Sequence, residues 1–238
     1  MKKFLIYILL LSGLCAHAQF GTNVFGRDPI TNLENFDKQR VHWGYFLGFN
    51  SYDFKIDYKT NPDVDIHVKS TTGFNVGLVG NLRLFEYLDL RFEPGLYYTQ
   101  RDLTFTGPGL VELSDRFREV RSTYIHFPLL LKFSSKRTGN IRPYLVGGLS
   151  RTLNFDSNEK VTDDNITAQV FRMKTWTNNW EIGAGIDIYF EYFKFSPSIR
   201  GVFGLDDELI RDNDPNSSYT GNVAAMKTRG VFVNFTFH

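Results

Sequence analysis

Apolar side chains occupy every second position of the stretch Tyr124–Phe133, which reads YIHFPLLLKF. The positions between them are mixed and include His126 and Lys132. A period of two is the period of a β-strand, in which successive side chains point to opposite faces. The stretch therefore predicts a strand with one fully apolar face and one face that carries polar groups.

Eight segments of the chain show this alternation. They lie at about residues 42–50, 74–84, 88–98, 124–133, 142–154, 180–190, 193–203 and 231–238. Eight is close to the smallest number of strands that closes a transmembrane barrel, and bacterial outer-membrane barrels have an even number. The sequence therefore predicts an all-β fold, an eight-stranded antiparallel transmembrane β-barrel of the outer-membrane type.

The connections between these segments alternate in length. Short ones fall at residues 85–87, at 134–139 and near Glu191, whereas long polar ones fall at about 57–71, 106–118, 156–175 and 205–225. In outer-membrane barrels the short turns face the periplasm and the long loops face the outside. We therefore expect an outer-membrane location with both termini in the periplasm.

The N-terminal residues have the pattern of a secretory signal peptide. Lys2 and Lys3 precede the apolar run FLIYILLLSGL, and Ala16–Ala18 resemble an A-x-A cleavage site. This pattern predicts a cleaved signal peptide at residues 1–18, a periplasmic N-terminal segment at 19–41 and the barrel at 42–238.

A lipoprotein anchor at Cys15 is the alternative to a cleaved signal peptide. Leu14 precedes this cysteine, where a small residue is expected, so the motif is a poor match. Cys15 is the one cysteine of the sequence, and its removal with the signal peptide would leave no thiol for disulfide or thiolate chemistry.

The charge balance limits the classes of partner. Lys plus Arg number 27 and Asp plus Glu number 26, which gives a formal net charge of +1. The chain as a whole therefore offers no electrostatic attraction for nucleic acid, and we expect no nucleic-acid partner. The partner that the apolar faces require is outer-membrane lipid.

Aromatic residues gather where the predicted strands meet the short turns, as an interfacial girdle requires. They are Trp43, Tyr45, Phe85, Tyr87, Phe133, Tyr144, Tyr189, Phe190, Tyr192, Phe193, Phe235 and Phe237. A soluble β-sandwich, with the polar faces in water, is the alternative fold. The girdle favours the membrane barrel.

In a membrane barrel the polar faces of the strands line the lumen, where opposite charges can pair. We predict a lumen ion-pair network formed by Arg91, Glu93, Lys132, Glu181, Asp187 and Arg200. Side chains fill the interior of an eight-stranded barrel, so no open pore is expected.

The sequence offers little for catalysis. The histidines His42, His67, His126 and His238 lack metal-ligand spacing. The polar residues Asp63, Asp65, His67 and Ser70 could meet at the rim of the barrel, but a solvated loop explains them as well. His126 could contact Glu93 or Glu181, and we interpret it as a hydrogen-bonded interior residue. We predict no catalytic residue, no cofactor-binding site and no metal site.

Three stretches resemble one known family. They are NFDKQRVHWGYFLGFNSYDF at Asn35–Phe54, GLVGNLRLFEYLDLRFEPGLYY at Gly77–Tyr98 and YIHFPLLLKFSSKRTGNIRPYLVGG at Tyr124–Gly148. Together they are similar to the PorT family, called SprT in gliding bacteria, of outer-membrane barrels required for the type IX secretion system. The resemblance covers the first five predicted strands, and it implies an accessory role in the export of C-terminally signalled cargo, with no catalytic residues to carry over.

The leading hypothesis is therefore a non-catalytic outer-membrane barrel that is a component or accessory of type IX protein secretion and gliding motility. Other secretion-system proteins would then be partners, and the segment with Asn35, Phe36, Asp37 and Arg40 is a candidate contact. Two alternatives stay open: a general adhesin or binding barrel that acts through its extracellular loops, and a rim-exposed outer-membrane enzyme.

Overall fold

The computed structural model describes residues 31–108, 110, 112–166 and 169–238. The predicted signal peptide lies outside the described residues, as do the first residues of the predicted segment 19–41. The strands are β1 (Val41–Tyr58), β2 (Asp65–Ser70), β3 (Thr72–Arg83), β4 (Leu88–Phe92), β5 (Gly95–Thr106), β6 (Phe117–Ser134), β7 (Ile141–Asn154), β8 (Trp176–Tyr189), β9 (Lys194–Gly204) and β10 (Val223–Phe237). A 3₁₀ helix at Phe36–Lys38 precedes β1, and a short helix α1 (Leu113–Arg116) precedes β6.

No helix among these residues is long and apolar enough to cross a membrane.

Antiparallel pairing closes the strands into a ring. β1 pairs with β10 on one edge and with β3 on the other. From β10 the ring continues through β9, β8, β7 and β6 to the pair β4 and β5, and from these to β3. A closed ring leaves no row of unpaired backbone groups in the hydrocarbon of a membrane.

β4 and β5 are one strand of the ring. Their register against β6 is the same on both sides of the break, with Phe92 opposite Leu129 and Gly95 opposite His126. The break falls at Pro94, where Pro128 also lies on the facing strand, and neither proline has an N–H to donate to the ladder. Two prolines therefore interrupt the hydrogen bonds without interrupting the wall.

β2 and β3 are also one strand, which a β-bulge at Thr71 interrupts. Ser70 lies opposite Arg101, whereas Phe74 lies opposite Tyr98, so the chain gains one residue between the two registers. The Thr71 N–H and hydroxyl both donate to the carbonyl of Gln100, at 3.2 and 2.6 Å. The ten strands thus form an eight-stranded ring, and the predicted fold is confirmed.

The outward side chains change character along the barrel. On β1 the outward residues Trp43, Leu47 and Phe49 are apolar and exposed, and they form part of an apolar belt around the wall. Beyond Ser51 the same alternate positions face outward, but the apolar residues now lie on the inner face, so that Phe54 is buried inside and Lys55 is exposed outside. The alternation keeps its period of two, but this end of the wall is built like a soluble barrel.

The same exchange of polar and apolar faces occurs on β5, β6 and β10, where Asp102, Glu119 and Lys227 point outward beyond the belt. We call this the loop end of the barrel and the opposite one the turn end. The predicted long connections at 57–71 and 106–118 are wrong in part, because β2 and the first residues of β6 occupy them. The strands continue past the point where their outward faces stop being apolar, so they are longer than predicted.

An apolar cluster fills the loop end. It includes Phe54, Leu103, Phe105, Met173 and Met226. Part of it comes from the two longest connections, residues 155–166 with 169–175 and residues 205–222, which together we call the cap. These connections were expected to be polar loops, but they fold over the end of the barrel.

Two residues assigned to the aromatic girdle are inside the barrel. Tyr144 is 4% exposed and Tyr189 is fully buried, so this part of the prediction is wrong. Both lie near short turns, but they fall on the inward phase of their strands. Tyr144 lies opposite Gly185, the ideal Cβ position of which is 2.5 Å from the Tyr144 hydroxyl oxygen. The missing side chain leaves room for the tyrosine ring.

The belt predicts position-dependent effects of an added charge. Leu78 is 64% exposed on the outer wall of β3, so Leu78→Arg would place a cation in hydrocarbon and cost about 2–4 kcal/mol of unfolding free energy. The control Thr104→Arg introduces the same side chain on the outer face of β5 beyond the belt, and we expect a cost below about 1 kcal/mol. Urea unfolding in lipid vesicles measures both, and equal losses would contradict the assigned belt.

Candidate functional site

A chain of charged side chains crosses the middle of the barrel. Glu93 lies between Arg91 and Arg200, with the Arg200 Nη1 donating to Glu93 Oε2 at 2.7 Å. The Arg200 Nε also lies 2.9 Å from Glu181 Oε2, and the other oxygen of Glu181 is 2.6 Å from His126 Nε2. All five side chains are buried. The chain joins residues from four strands of the ring, and the charges of Arg91, Glu93, Arg200 and Glu181 alternate along it.

A second cluster lies nearer the turn end. The Lys132 Nζ donates to Asp187 Oδ2 at 2.6 Å, and the Ser196 hydroxyl donates to Asp187 Oδ1 at 2.6 Å. The Lys194 Nζ is 4.0 Å from the same carboxylate. Lys132 also lies over the ring of Tyr144, 4.0 Å from its centroid, in a cation–π contact.

The six residues of the predicted network are therefore all inside the barrel, in two clusters rather than one. Sequence reasoning left Lys194 and Ser196 out, although both lie on the inward phase of β9. For His126 the sequence allowed two partners, Glu93 and Glu181, and in the structure the partner is Glu181. The Nδ1 of the same ring is 2.8 Å from the Thr152 hydroxyl, so both ring nitrogens have partners.

A buried arginine that the sequence analysis did not consider lies between these clusters and the loop end. Arg101 is fully buried and donates to Ser122 Oγ at 3.1 Å, to Thr228 Oγ1 at 3.3 Å and to the Tyr124 hydroxyl. Its guanidinium carbon lies 3.8 Å from the centroid of the Phe54 ring. Neutral oxygens and aromatic faces thus hold this cation, which forms no ion pair with any described residue.

The cap is hydrogen-bonded to the wall near Arg101. The Glu208 carboxylate accepts hydrogen bonds from the Thr228 N–H at 3.0 Å and from its hydroxyl at 2.9 Å. Burial raises the pKa of Glu208. Within the cap, the Lys174 N–H donates to the Glu208 carbonyl and the Ile210 N–H to the Arg172 carbonyl, which join its two connections.

Residues 31–40 occupy the turn end, and we call them the N-terminal plug. The Phe36 ring stacks on His42 at 4.6 Å between centroids, and the Lys194 Nζ lies 4.7 Å from its centroid. The Tyr189 hydroxyl donates to Asp37 Oδ2 at 2.6 Å. The plug therefore packs against the inward-facing residues of the barrel.

The β6–β7 turn holds the plug from the other side. Arg137 donates to the Asn32 carbonyl, and its guanidinium carbon lies 3.8 Å from the centroid of Tyr189. The Asn32 N–H donates to Asn140 Oδ1 at 2.9 Å. Partial burial lowers the pKa of Arg137.

The plug contains the four residues predicted as a partner contact. Phe36 and Asp37 are partly buried against the barrel, whereas Asn35 and Arg40 are exposed. The backbone carbonyl of Arg40 accepts a hydrogen bond from the Arg83 N–H of β3 at 2.8 Å, so a partner would reach Asn35 and Arg40 through their exposed side chains.

The structure does not bring the predicted rim residues His67 and Ser70 together. His67 Nε2 is 3.6 Å from Asp65 Oδ2, and both side chains are largely exposed. Ser70 is three residues further along β2, so it points to the opposite face of the strand. In the described ranges, no group of three or more His, Cys, Asp or Glu side chains is arranged to hold a metal ion.

The closed ring, the apolar belt and the polar, side-chain-filled interior define an outer-membrane β-barrel. Residues 21–209 match the family model of the outer membrane protein beta-barrel domain, and the chain belongs to this family. The protein is therefore located in the outer membrane.

Among solved structures, OprG from Pseudomonas aeruginosa is 16% identical over 83% of this chain and 94% of that chain, with a TM-score of 0.45. Neisserial surface protein A (NspA) is 9% identical over 81% and 95%, with a TM-score of 0.41. The N-terminal β-barrel domain of Pseudomonas aeruginosa OprF is 14% identical over 80% and 96%, with a TM-score of 0.34. No curated protein sequence matches this chain.

The ion-pair chain predicts a large effect at Glu93. Glu93→Ala would leave Arg91 and Arg200 without their shared carboxylate in a low-dielectric interior, and we expect a loss of about 3 kcal/mol in unfolding free energy. The control Asp53→Ala breaks an exposed pair, in which the Arg229 Nε is 2.7 Å from Asp53 Oδ2. That change should cost less than about 1 kcal/mol. Urea unfolding in vesicles measures both, and a cost at Glu93 no larger than at Asp53 would be evidence against the network.

Proposed function

We propose that the protein is a non-catalytic component or accessory of type IX protein secretion and gliding motility, which acts from within the outer membrane. The resemblance of three stretches to the PorT family supports the pathway. The filled interior supports a role other than that of a conduit. Between the plug and the cap lie, in order, the two charged clusters, Arg101 and the apolar cluster. Cargo would not pass through this barrel.

The proposed role includes an orientation. The loop end faces the outside, and the turn end, with the N-terminal plug, faces the periplasm, because short turns are periplasmic in barrels of this type. The signal peptide at residues 1–18 is removed. Periplasmic partners would then contact the exposed residues Asn35 and Arg40 or the short turns, and membrane partners would contact the belt.

A general binding barrel is the second candidate. The folded cap supports it, because the cap presents an ordered surface rather than separate polar loops. The rim enzyme has less support, since Ser70 and His67 point to opposite faces of β2. The segment from Thr60 to Ser70 is therefore more consistent with a structural part of the loop-end wall.

The orientation predicts which cysteines react in intact cells. Asn216→Cys lies on an exposed part of the cap, and we expect a membrane-impermeant maleimide to label it from outside. Thr138→Cys is also at an exposed position but lies in the β6–β7 turn, and we expect labelling only after the outer membrane is opened. Labelling of Thr138→Cys and not Asn216→Cys in intact cells would reverse the topology.

The function predicts a loss of export in a deletion strain. Without the protein, secretion of C-terminally signalled cargo and surface movement should both fail, and the wild-type gene should restore them. A variant with residues 213–219 replaced by a short Gly-Ser linker should also restore them, because the proposed role uses the belt and the turn end. Normal export in the deletion strain would exclude the proposal, and failure of the cap variant alone would favour the binding barrel.

A further inference from the structure

One strand of the loop-end wall has an open edge. β6 pairs with β5 as far as Phe117, which lies opposite Thr104. On its other edge it pairs with β7 only as far as Tyr124, which lies opposite Asn154. The stretch Phe117–Thr123 therefore has a neighbouring strand on one side only, and it lies beyond the apolar belt.

Hydrogen bonds show which backbone groups face this edge. The Thr123 carbonyl accepts from the Phe155 N–H at 3.0 Å, and the Thr123 N–H donates to Asp156 Oδ2 at 2.8 Å. Backbone direction alternates along a strand, so Arg121 and Glu119 present their N–H and C=O groups to the same side. No hydrogen bond of the described residues reaches these four groups.

A groove runs beside the open edge. It has a volume of about 710 Å³, and β6 lines it on one side and the cap on the other. Polar groups make up most of its lining, and its apolar part includes Phe117, Phe155, Val161 and Phe171. Phe155 is 59% exposed and Phe117 is 42% exposed, so two aromatic rings face solvent beside unpaired backbone groups.

We propose that this groove binds an extended peptide segment of a partner protein, which adds as a strand to the edge of β6. Strand addition satisfies the N–H and C=O groups of Glu119 and Arg121, and alternate side chains of the peptide reach the apolar part of the lining. The stretch from Phe117 to Arg121 is about 16 Å long at 3.3 Å per residue, so about five peptide residues would pair. The site goes beyond the secretory role and does not depend on it.

The shape of the groove favours a single strand over a second copy of the barrel. The cap bounds the groove opposite β6, and in a second copy β6 would bring its neighbour β5 with it. An isolated extended segment needs space for one strand only. Glu119 and Arg121 also form an exposed ion pair, with 2.9 Å between Oε1 and Nη2. Charged side chains on an edge strand disfavour nonspecific strand pairing.

The test uses the full-length barrel in lipid nanodiscs and a seven-residue peptide library displayed on phage. Arg121→Pro removes one N–H from the open edge and leaves the pairing with β5 intact, because the nitrogen faces away from β5. Arg121→Ala removes the same side chain and keeps the N–H, so it is the matched control. Heat-modifiable gel migration confirms that both variants are folded.

We expect the wild-type protein to enrich peptides in which apolar residues alternate. Synthetic versions should bind the wild type and Arg121→Ala with similar Kd, and they should bind Arg121→Pro about tenfold more weakly. N-methylation of alternate peptide nitrogens should weaken binding to the wild type by a similar factor, because strand addition uses backbone groups.

Three outcomes would overturn the proposal: no enrichment over the Arg121→Pro variant, equal binding of N-methylated and unmodified peptides, or equal binding to Arg121→Pro and Arg121→Ala. A wild-type dimer in detergent that Arg121→Pro converts to a monomer would also overturn it, since the occupant would then be a second copy. None of these readouts involves cargo export, so the result is separate from the test of the secretory function.

Discussion

The pairing of β1 with β10 is the interaction on which the rest of the structure depends. A strand that crosses hydrocarbon must have hydrogen-bonded neighbours on both edges, and closure of the ring is the way a sheet achieves this. Closure with eight strands fixes a narrow interior. The inward side chains are then withdrawn from both water and lipid, so each inward charge needs a partner within the barrel. The chain of contacts from Arg91 to His126 meets this requirement for Arg91, Glu93, Arg200 and Glu181.

The same chain ties distant parts of the ring together. Glu93 lies between β4 and β5, Arg200 on β9, Glu181 on β8 and His126 on β6. Two of the contacts, Glu93 with Arg200 and Glu181 with His126, therefore connect strands that are not neighbours in the ring. Buried ion pairs add little net stability, because desolvation offsets their attraction, but loss of one partner leaves an uncompensated charge. We infer that the network selects one register of the strands rather than strengthening the fold.

The inward charges could be identified from the sequence because phase along a strand is a local property. Their pairing could not, since partners on different strands depend on register and on the tilt of the strands. His126 illustrates this: both Glu93 and Glu181 were possible, and only the assembled ring brings Glu181 to its Nε2. Tyr144 and Tyr189 show the opposite error, in which proximity to a turn outweighed the inward phase of the strand. Arg101 was not identified because it lies beyond the belt, where the outward side chains of β5 are no longer apolar.

The ends of the predicted strands were wrong for a physical reason that also bears on binding. At Ser51 the solvent outside the wall changes from lipid to water, so the apolar phase moves from the outer to the inner face while the period of two continues. Within the belt neighbouring strands must pair along their length, because an open edge in hydrocarbon is too costly. Beyond it water can solvate an edge, and β6 can extend past the end of β7. The open groups of Glu119 and Arg121 are therefore tolerated only at the end of the barrel where a water-soluble partner can reach them.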